Sequence, residues 1–332
     1  MADYVFAGDI GGTKADLAIF SYEDERLQPI FEKVYHSTAV GSATELLECF
    51  LEEAPSVAIA SACFGFAGPV RHGKSKAVNL AWEMDQGVLQ KTFGFDRLVL
   101  LNDLAALSYA IPHFKKEQLL QLKDGFATDG SIGLLAAGTG LGEALLYRQG
   151  NQILACPSEG GHKDFSPRTE QEFKLLQFLQ KKYDHVSTER VLSGAGIVDI
   201  FLFLLEEERL PIPEWLPTEN IHKHADLITN RAMGNHDRLS IKALHIFSSL
   251  YGAEAGNIAL QYLATGGIYI GGGIGPKIET FLDSDQFRTS FTAKGRFQEL
   301  LEKIPVFLIR DNRGTLQGAA WYATTLVSGA KT

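Results

Sequence analysis

Asn102 and Asp103 stand together where the apolar run Val99-Leu100-Leu101 passes into a helical pattern. Such a junction lies at the edge of a sheet, where α/β proteins meet their ligands. A carboxylate held there can take the proton of an attacking hydroxyl. It can equally cap the helix, at about 1 kcal/mol, although capping uses one residue and this junction offers two. The run Ser158-Glu159-Gly160-Gly161-His162-Lys163-Asp164 is a second cluster, and its two glycines allow close contact with something small and polar. Glu159, His162 and Asp164 could also bind a metal, but no HExxH spacing or second histidine accompanies them. A third polar patch spans residues 185–194 and carries Glu189, which by itself reads as a first-turn helix acid capped by Ser187. His222 and His224 lie in a polar stretch and read as solvated.

Two glycine turns complete the inventory: Gly8-Asp9-Ile10-Gly11-Gly12-Thr13 and Gly138-Thr139-Gly140-Leu141-Gly142. Amide groups converging on phosphate oxygens form a neutral anion site, and glycine permits the close approach. Asp9 adds a hard oxygen ligand suited to magnesium, directly or through water. Thr139 adds a hydroxyl donor. Either turn alone could be an ordinary hairpin. Two of them, with Gly271-Gly272-Gly273 at a later strand end, favour a nucleotide site. No GxxxxGK[ST] is present and no GxGxxG follows the first strand, so a P-loop and a dinucleotide fold lose support. Lys14 reads either as a phosphate ligand or as an exposed hairpin lysine. A sugar would use the remaining polar residues, because its hydroxyls are read in pairs by carboxylates and amides.

These residues need elements to hold them. Apolar runs predict strands at residues 4–7 and 15–20 around the first turn, then near 32–35, 57–63 and 99–101. Helical patterns cover 43–53 and 104–110, the latter ended by Pro112. The opening pattern then recurs, with strands at 132–136 and 144–147 around the second turn. Two strand–turn–strand units about 125 residues apart predict two related halves rather than a solenoid. Beyond them lie helices at 170–182, 194–208, 241–264 and 316–326, and strands at 267–270 and 305–309. Pro211, Pro213 and Pro217 predict a surface loop over 210–220.

A length of 332 residues predicts two domains, and 45% hydrophobic with 21% charged residues is ordinary for a globular enzyme. A net charge of −9, with only short basic pairs such as Lys115-Lys116 and Lys181-Lys182, argues against a nucleic-acid partner. Cys49, Cys63 and Cys156 are widely spaced and odd in number, which predicts no disulfide framework and three buried thiols. The longest strongly apolar run, at 200–205, is too short for a membrane span, and no secretory signal precedes the first strand. The expectation is a soluble, cytoplasmic protein.

The chain closely resembles bacterial glucokinases of the non-ROK type, within the superfamily of hexokinase, actin and heat-shock chaperone ATPases. The two glycine turns, Asn102-Asp103, Ser158-Glu159-Gly160-Gly161-His162 and the 185–194 segment carry the resemblance, in order over most of the chain. It implies a two-lobed, ribonuclease-H-like or actin-like α/β ATPase fold with a cleft between the lobes. Residues 1–111 with 313–332 would form the small domain and 112–312 the large one. It further implies an ATP-dependent glucokinase that phosphorylates the 6-hydroxyl of glucose and serves glycolysis. Asp103 would be the general base, and Asn102, Glu159, His162 and Glu189, with Asn79, would bind glucose. Gly8, Asp9, Ile10, Gly11, Gly12, Thr13, Gly138, Thr139 and Gly140 would hold the ATP phosphates, with Gly272 and Gly273 beside the adenosine. Magnesium is expected on Asp9, and zinc is not expected, since the ROK cysteine–histidine motif is absent. Lys14 departs from the asparagine frequent at that position. A homodimer is compatible with the resemblance. The competing expectations are a sugar sensor without turnover, a hexokinase of broader specificity, and a chaperone or filament ATPase.

Overall fold

The computed structural model describes residues 3–76, 80, 82–149 and 152–328, so Asn79 lies outside the described residues. The chain divides into two units, Met1–Phe114 with Arg313–Thr332, and Lys115–Asn312.

In the first unit, β1 (Asp3–Ile10), β2 (Lys14–Glu23) and β3 (Arg26–His36) form an antiparallel meander. Helix α1 (Ala43–Glu53) follows, capped by the Ser42 hydroxyl, which accepts from the Glu45 amide. Strand β4 (Ile59–Phe66) runs parallel to β1. A small separate sheet of β5 (Val70–Arg71), β6 (Lys74–Lys76) and β7 (Glu83–Asp85) leads to α2 (Gln86–Phe93). Strand β8 (Leu98–Asn102) runs parallel to β4 and passes directly into α3 (Asp103–Ala110). The main sheet has the order β3-β2-β1-β4-β8.

Alternation along β1 explains how both faces of this sheet are covered. Phe6 and Ile10 join a core with Leu46, Leu47 and Phe50 of α1. Val5 and Ala7 face the other way, onto Leu316, Ala319, Ala320 and Ala323 of the C-terminal helix Gly314–Ser328. That helix approaches α3 closely: a methyl group on Gly318 would lie 1.8 Å from the Ala106 carbonyl oxygen. Two strands run beyond their predicted bounds. β3 is 11 residues long because it pairs with the whole of β2, and β4 continues to Phe66 because β1 and β8 flank it.

In the second unit, β9 (Leu119–Lys123) precedes a second meander, β10 (Ile132–Ala137), β11 (Leu141–Gln149) and β12 (Gln152–Ser158). Helices α4 (Glu170–Gln180), α5 (Gly194–Glu208), α6 (Ala225–Met233) and α7 (Arg238–Gln261) follow. Strand β13 (Ile268–Gly271) is parallel to β10; α8 (Glu279–Leu282), α9 (Asp285–Thr292) and α10 (Gln298–Lys303) separate it from β14 (Val306–Ile309). The sheet order is β12-β11-β10-β13-β14-β9. A meander joined to two parallel strands thus occurs in each unit, matching the repeat seen in the chain. Helix α7 begins three residues before its predicted start because the Asp237 carboxylate caps it through the Ser240 amide. Residues 210–220 are irregular.

Of the three cysteines, only Cys63 is buried; Cys49 is half-buried and Cys156 is exposed on β12, the sheet's edge strand. The expectation of three buried thiols is corrected on that ground. His222 is also corrected: its Nε2 lies 2.8 Å from the buried Asp199 Oδ1, alongside Lys182 and Tyr183. No helix among the described residues is long and apolar enough to cross a membrane.

Candidate functional site

In the first unit the β1–β2 turn and the β8–α3 junction bring together three aspartates. Gly8 lies within β1 between β2 and β4, where a methyl group would meet Leu17 and Phe64 at 2.6 and 2.8 Å; its small size serves packing. The open turn is Gly11, Gly12 and Thr13. The Gly11 amide donates to Lys14 O (2.9 Å), and Ser37, fully buried, braces the turn by donating its hydroxyl to Gly11 O (2.7 Å) and its amide to Thr13 O (2.9 Å). The amides of Gly12 and Thr13 donate to no acceptor among the described residues.

Asp9 and Asp16 face each other across β1 and β2. Burial, reinforced by the charges of Asp103 and Asp16 and opposed by Lys14, pushes the Asp9 pKa up to about 7. Lys14 pairs with Asp16 Oδ2 at 2.9 Å, while Asp16 Oδ1 is buried without a hydrogen-bond partner. Among the described residues no three carboxylates or imidazoles converge tightly enough to hold a metal by themselves, so a divalent cation here would take protein oxygens from one or two carboxylates and the rest from water or phosphate.

At the β8–α3 junction the two adjacent polar residues divide their duties. Asn102 is the cap, its Oδ1 accepting from the Ala105 amide (2.9 Å). Its Nδ2 donates to Asp103 Oδ1 (2.9 Å), and the Leu104 amide donates to the same oxygen (2.8 Å). The carboxylate is thereby oriented through one oxygen while neither donor engages Oδ2. Burial raises the Asp103 pKa, opposed by its backbone hydrogen bonds.

In the second unit the β10–β11 turn meets Glu189. The Leu141 amide donates to Glu189 Oε2 (2.9 Å), and a methyl group on Gly140 would fall 2.4 Å from that oxygen. Glu189 lies in a 3-10 turn, Thr188–Arg190, that Ser187 precedes without a side-chain cap, which corrects the expected Ser187 cap. The Gly194 amide donates to Gly138 O (2.9 Å) and ties α5 to the same turn. The amides of Thr139 and Gly140 donate to no acceptor among the described residues. Glu159 precedes a 3-10 turn, Gly160–His162, that His162 ends, and both are exposed, with His162 Nε2 3.9 Å from Glu159 Oε2. Gly272 and Gly273 follow β13, which pairs with β10 and so ends beside that turn.

A sequence profile of the glucokinase family matches residues 6–326. The chain belongs to the glucokinase family. The glucokinase of Nostoc punctiforme is 40% identical over 338 residues, covering 97% of this chain and 99% of the relative. The glucokinase of another Nostoc strain is 41% identical over 340 residues, with the same coverage. A crystal structure of glucokinase from an Antarctic psychrotroph has a TM-score of 0.88 at 30% identity, covering 97% of this chain and 99% of that one.

Family membership accounts for the motifs, but some residues that hold this site are absent from every motif considered above. Ser37 and Asp16 carry no signal in one sequence, since a serine after a strand and an acid beside a lysine are ordinary surface residues. Glu143 sits next to a motif residue and could have been found by adjacency alone, whereas Lys163 lies within the 158–164 cluster without a role assigned to it.

Proposed function

We propose that the protein transfers the γ-phosphoryl group of ATP to the 6-hydroxyl of glucose, giving glucose 6-phosphate and ADP, with Asp103 as the general base. The observation that carries this reading is the division of labour at the β8–α3 junction: Asn102 caps the helix, so the Asp103 carboxylate is available for chemistry. Its raised pKa brings it nearer to a base effective at neutral pH.

Phosphoryl transfer depends on positioning and charge stabilisation more than on covalent help from the protein. The amides of Gly12 and Thr13 hold phosphate oxygens, with Gly11 shaping the turn at the end of the strand that carries Gly8, Asp9 and Ile10. In the second unit the amides of Thr139 and Gly140 do the same in the turn that Gly138 opens, with Gly272 and Gly273 bordering the adenosine. Asn102, Glu159, His162 and Glu189 bind glucose hydroxyls, with Asn79 assigned by resemblance alone. Asp103 orients the 6-hydroxyl and takes its proton. Asp9 would hold magnesium, directly or through water, and the ion would neutralise phosphate charge. The two units correspond to the small and large domains expected of an actin-like kinase. A cytoplasmic location and a homodimer belong to the same proposal.

A coupled ADP-release assay with glucose, mannose, fructose and glucosamine tests it, run on the parent and on Asp103→Asn. Glucose-dependent release is expected, with turnover lowered by about 10²-fold or more in the variant while glucose binding persists. Sugar-independent turnover would point to an ATPase of the chaperone type, and tight glucose binding without turnover to a sensor. Near-normal turnover in Asp103→Asn removes that residue from the role.

A further inference from the structure

Lys163 follows His162 directly, and its ammonium lies between two buried carboxylates. Its Nζ is 2.8 and 3.0 Å from the Glu143 oxygens and 2.5 Å from Glu254 Oε1. The Glu143 and Glu254 side chains are 1% and 7% exposed. Glu143 belongs to β11, one residue past the 138–142 turn, and Glu254 to α7. The far side of Glu254 is also held, since Asn257 donates to Oε2 (3.0 Å) and Lys294 donates to Asn257 Oδ1 (2.6 Å).

The main chain at the same residue completes a circuit. The Lys163 amide donates to Gly160 O (3.1 Å), and Lys163 O accepts from the Thr188 amide (2.9 Å). Thr188 precedes Glu189, whose carboxylate accepts from Leu141 in the glycine turn. The Gly160–His162 turn also rests on the ion pair itself, because a methyl group on Gly160 would lie 2.1 Å from Glu143 Oε2. Glu189 meets the 138–142 turn directly at Leu141, and the Glu159–His162 turn is tied to Glu143 both through the Lys163 ammonium and through the Ser158 hydroxyl, which donates to Glu143 O and accepts from the Gly160 amide. A buried charge of this kind is a costly way to add stability and a good way to specify one arrangement.

We infer that Lys163 is a positioning residue that sets glucose affinity by fixing the Glu159–His162 turn and Glu189 against the second phosphate-binding turn. The inference rests on the assignment of Glu159, His162 and Glu189 to the sugar. It predicts that Lys163→Met raises the glucose KM by roughly tenfold or more, with kcat and the ATP KM changed by less than about threefold, because misplacing binding groups by about 1 Å is enough for such losses. Lys163→Arg, which keeps the charge, should recover most of the affinity. Amide hydrogen exchange of residues 158–164 should quicken in Lys163→Met and be restored in Lys163→Arg. If Lys163→Met does not fold, Lys163→Met/Glu254→Gln removes one carboxylate with the ammonium and is read in the same way. A folded variant with parental glucose KM, or with unchanged exchange over 158–164, overturns the inference. Faster exchange in Lys163→Met, found with a parent protein that does not phosphorylate glucose, would instead keep the positioning role and reject the sugar assignment.

Discussion

Asp9 shows how much a single side chain can reveal about what a site expects to bind. Its pKa is pushed up to about 7 by burial first, then by Asp103 and Asp16, against the pull of Lys14. A folded pKa raised above the unfolded value of 3.8 means that the native state keeps a proton which the unfolded chain has released. Stability from this group therefore falls as pH rises from about 4 to about 7, and the whole penalty, on the order of a few kcal/mol, is present above that. Asp9→Asn should melt at a higher temperature than the parent at pH 8 without ligands, and the difference should vanish near pH 4. A pH-independent difference in thermal melts would show that the carboxylate does not titrate in this window. Under the proposed function, a divalent cation held at Asp9 would offset that cost, because an opposite charge favours the ionised carboxylate. Its placement in the glycine turn is legible in the sequence, but its burial beside Asp103 is not, since 94 positions of chain separate Asp9 from Asp103.

At the scale of elements, strand ends aim the site. β13 is parallel to β10, and the chain leaving it must pass the chain leaving β10. Gly272 makes this passage with φ of +82°, and a Cβ there would lie 2.4 Å from Ala137 O and 2.9 Å from Ala137 N. Ala137 is the last residue before the 138–142 turn. Gly272→Ala should cost about 1–3 kcal/mol in backbone strain and collision. It should also raise the ATP KM more than the glucose KM, measured by steady-state kinetics. Lost stability with an unchanged ATP KM would uncouple the strand end from the turn. Most elements of this kind can be read from periodicity, including both meander turns and the long helix before β13. The β12 strand and the β5–β7 sheet escape it, because short strands with mixed polar residues have no clear period.

The whole molecule consists of two units that repeat one sheet topology on separate cores. Each core is closed by its own helices, and each unit ends two strands at a glycine turn with unpartnered amides. A ligand that binds only the folded chain stabilises it by about 2.7 kcal/mol at 100 times its Kd. Glucose alone should therefore raise the melting temperature in a concentration-dependent way, and glucose with magnesium–ATP should raise it further. A melt that responds to ATP and ignores glucose would contradict the assignment of a sugar site.

Local chemistry is what the sequence determined unaided: two glycine turns, an Asn-Asp pair at a strand-to-helix junction, and a glutamate and a histidine separated by two glycines. Each is written in adjacent residues, so no knowledge of packing is needed to find it. Only the tertiary structure decided which of the two caps the helix, because Asn102 and Asp103 are equivalent on paper and differ in which atom meets the Ala105 amide. The same holds for Glu189, whose partner at Leu141 lies 48 residues away, and for Lys163, which resembles a solvated lysine until α7 brings Glu254 against it. Those contacts are made between distant segments, and their energies depend on burial, which one sequence does not contain.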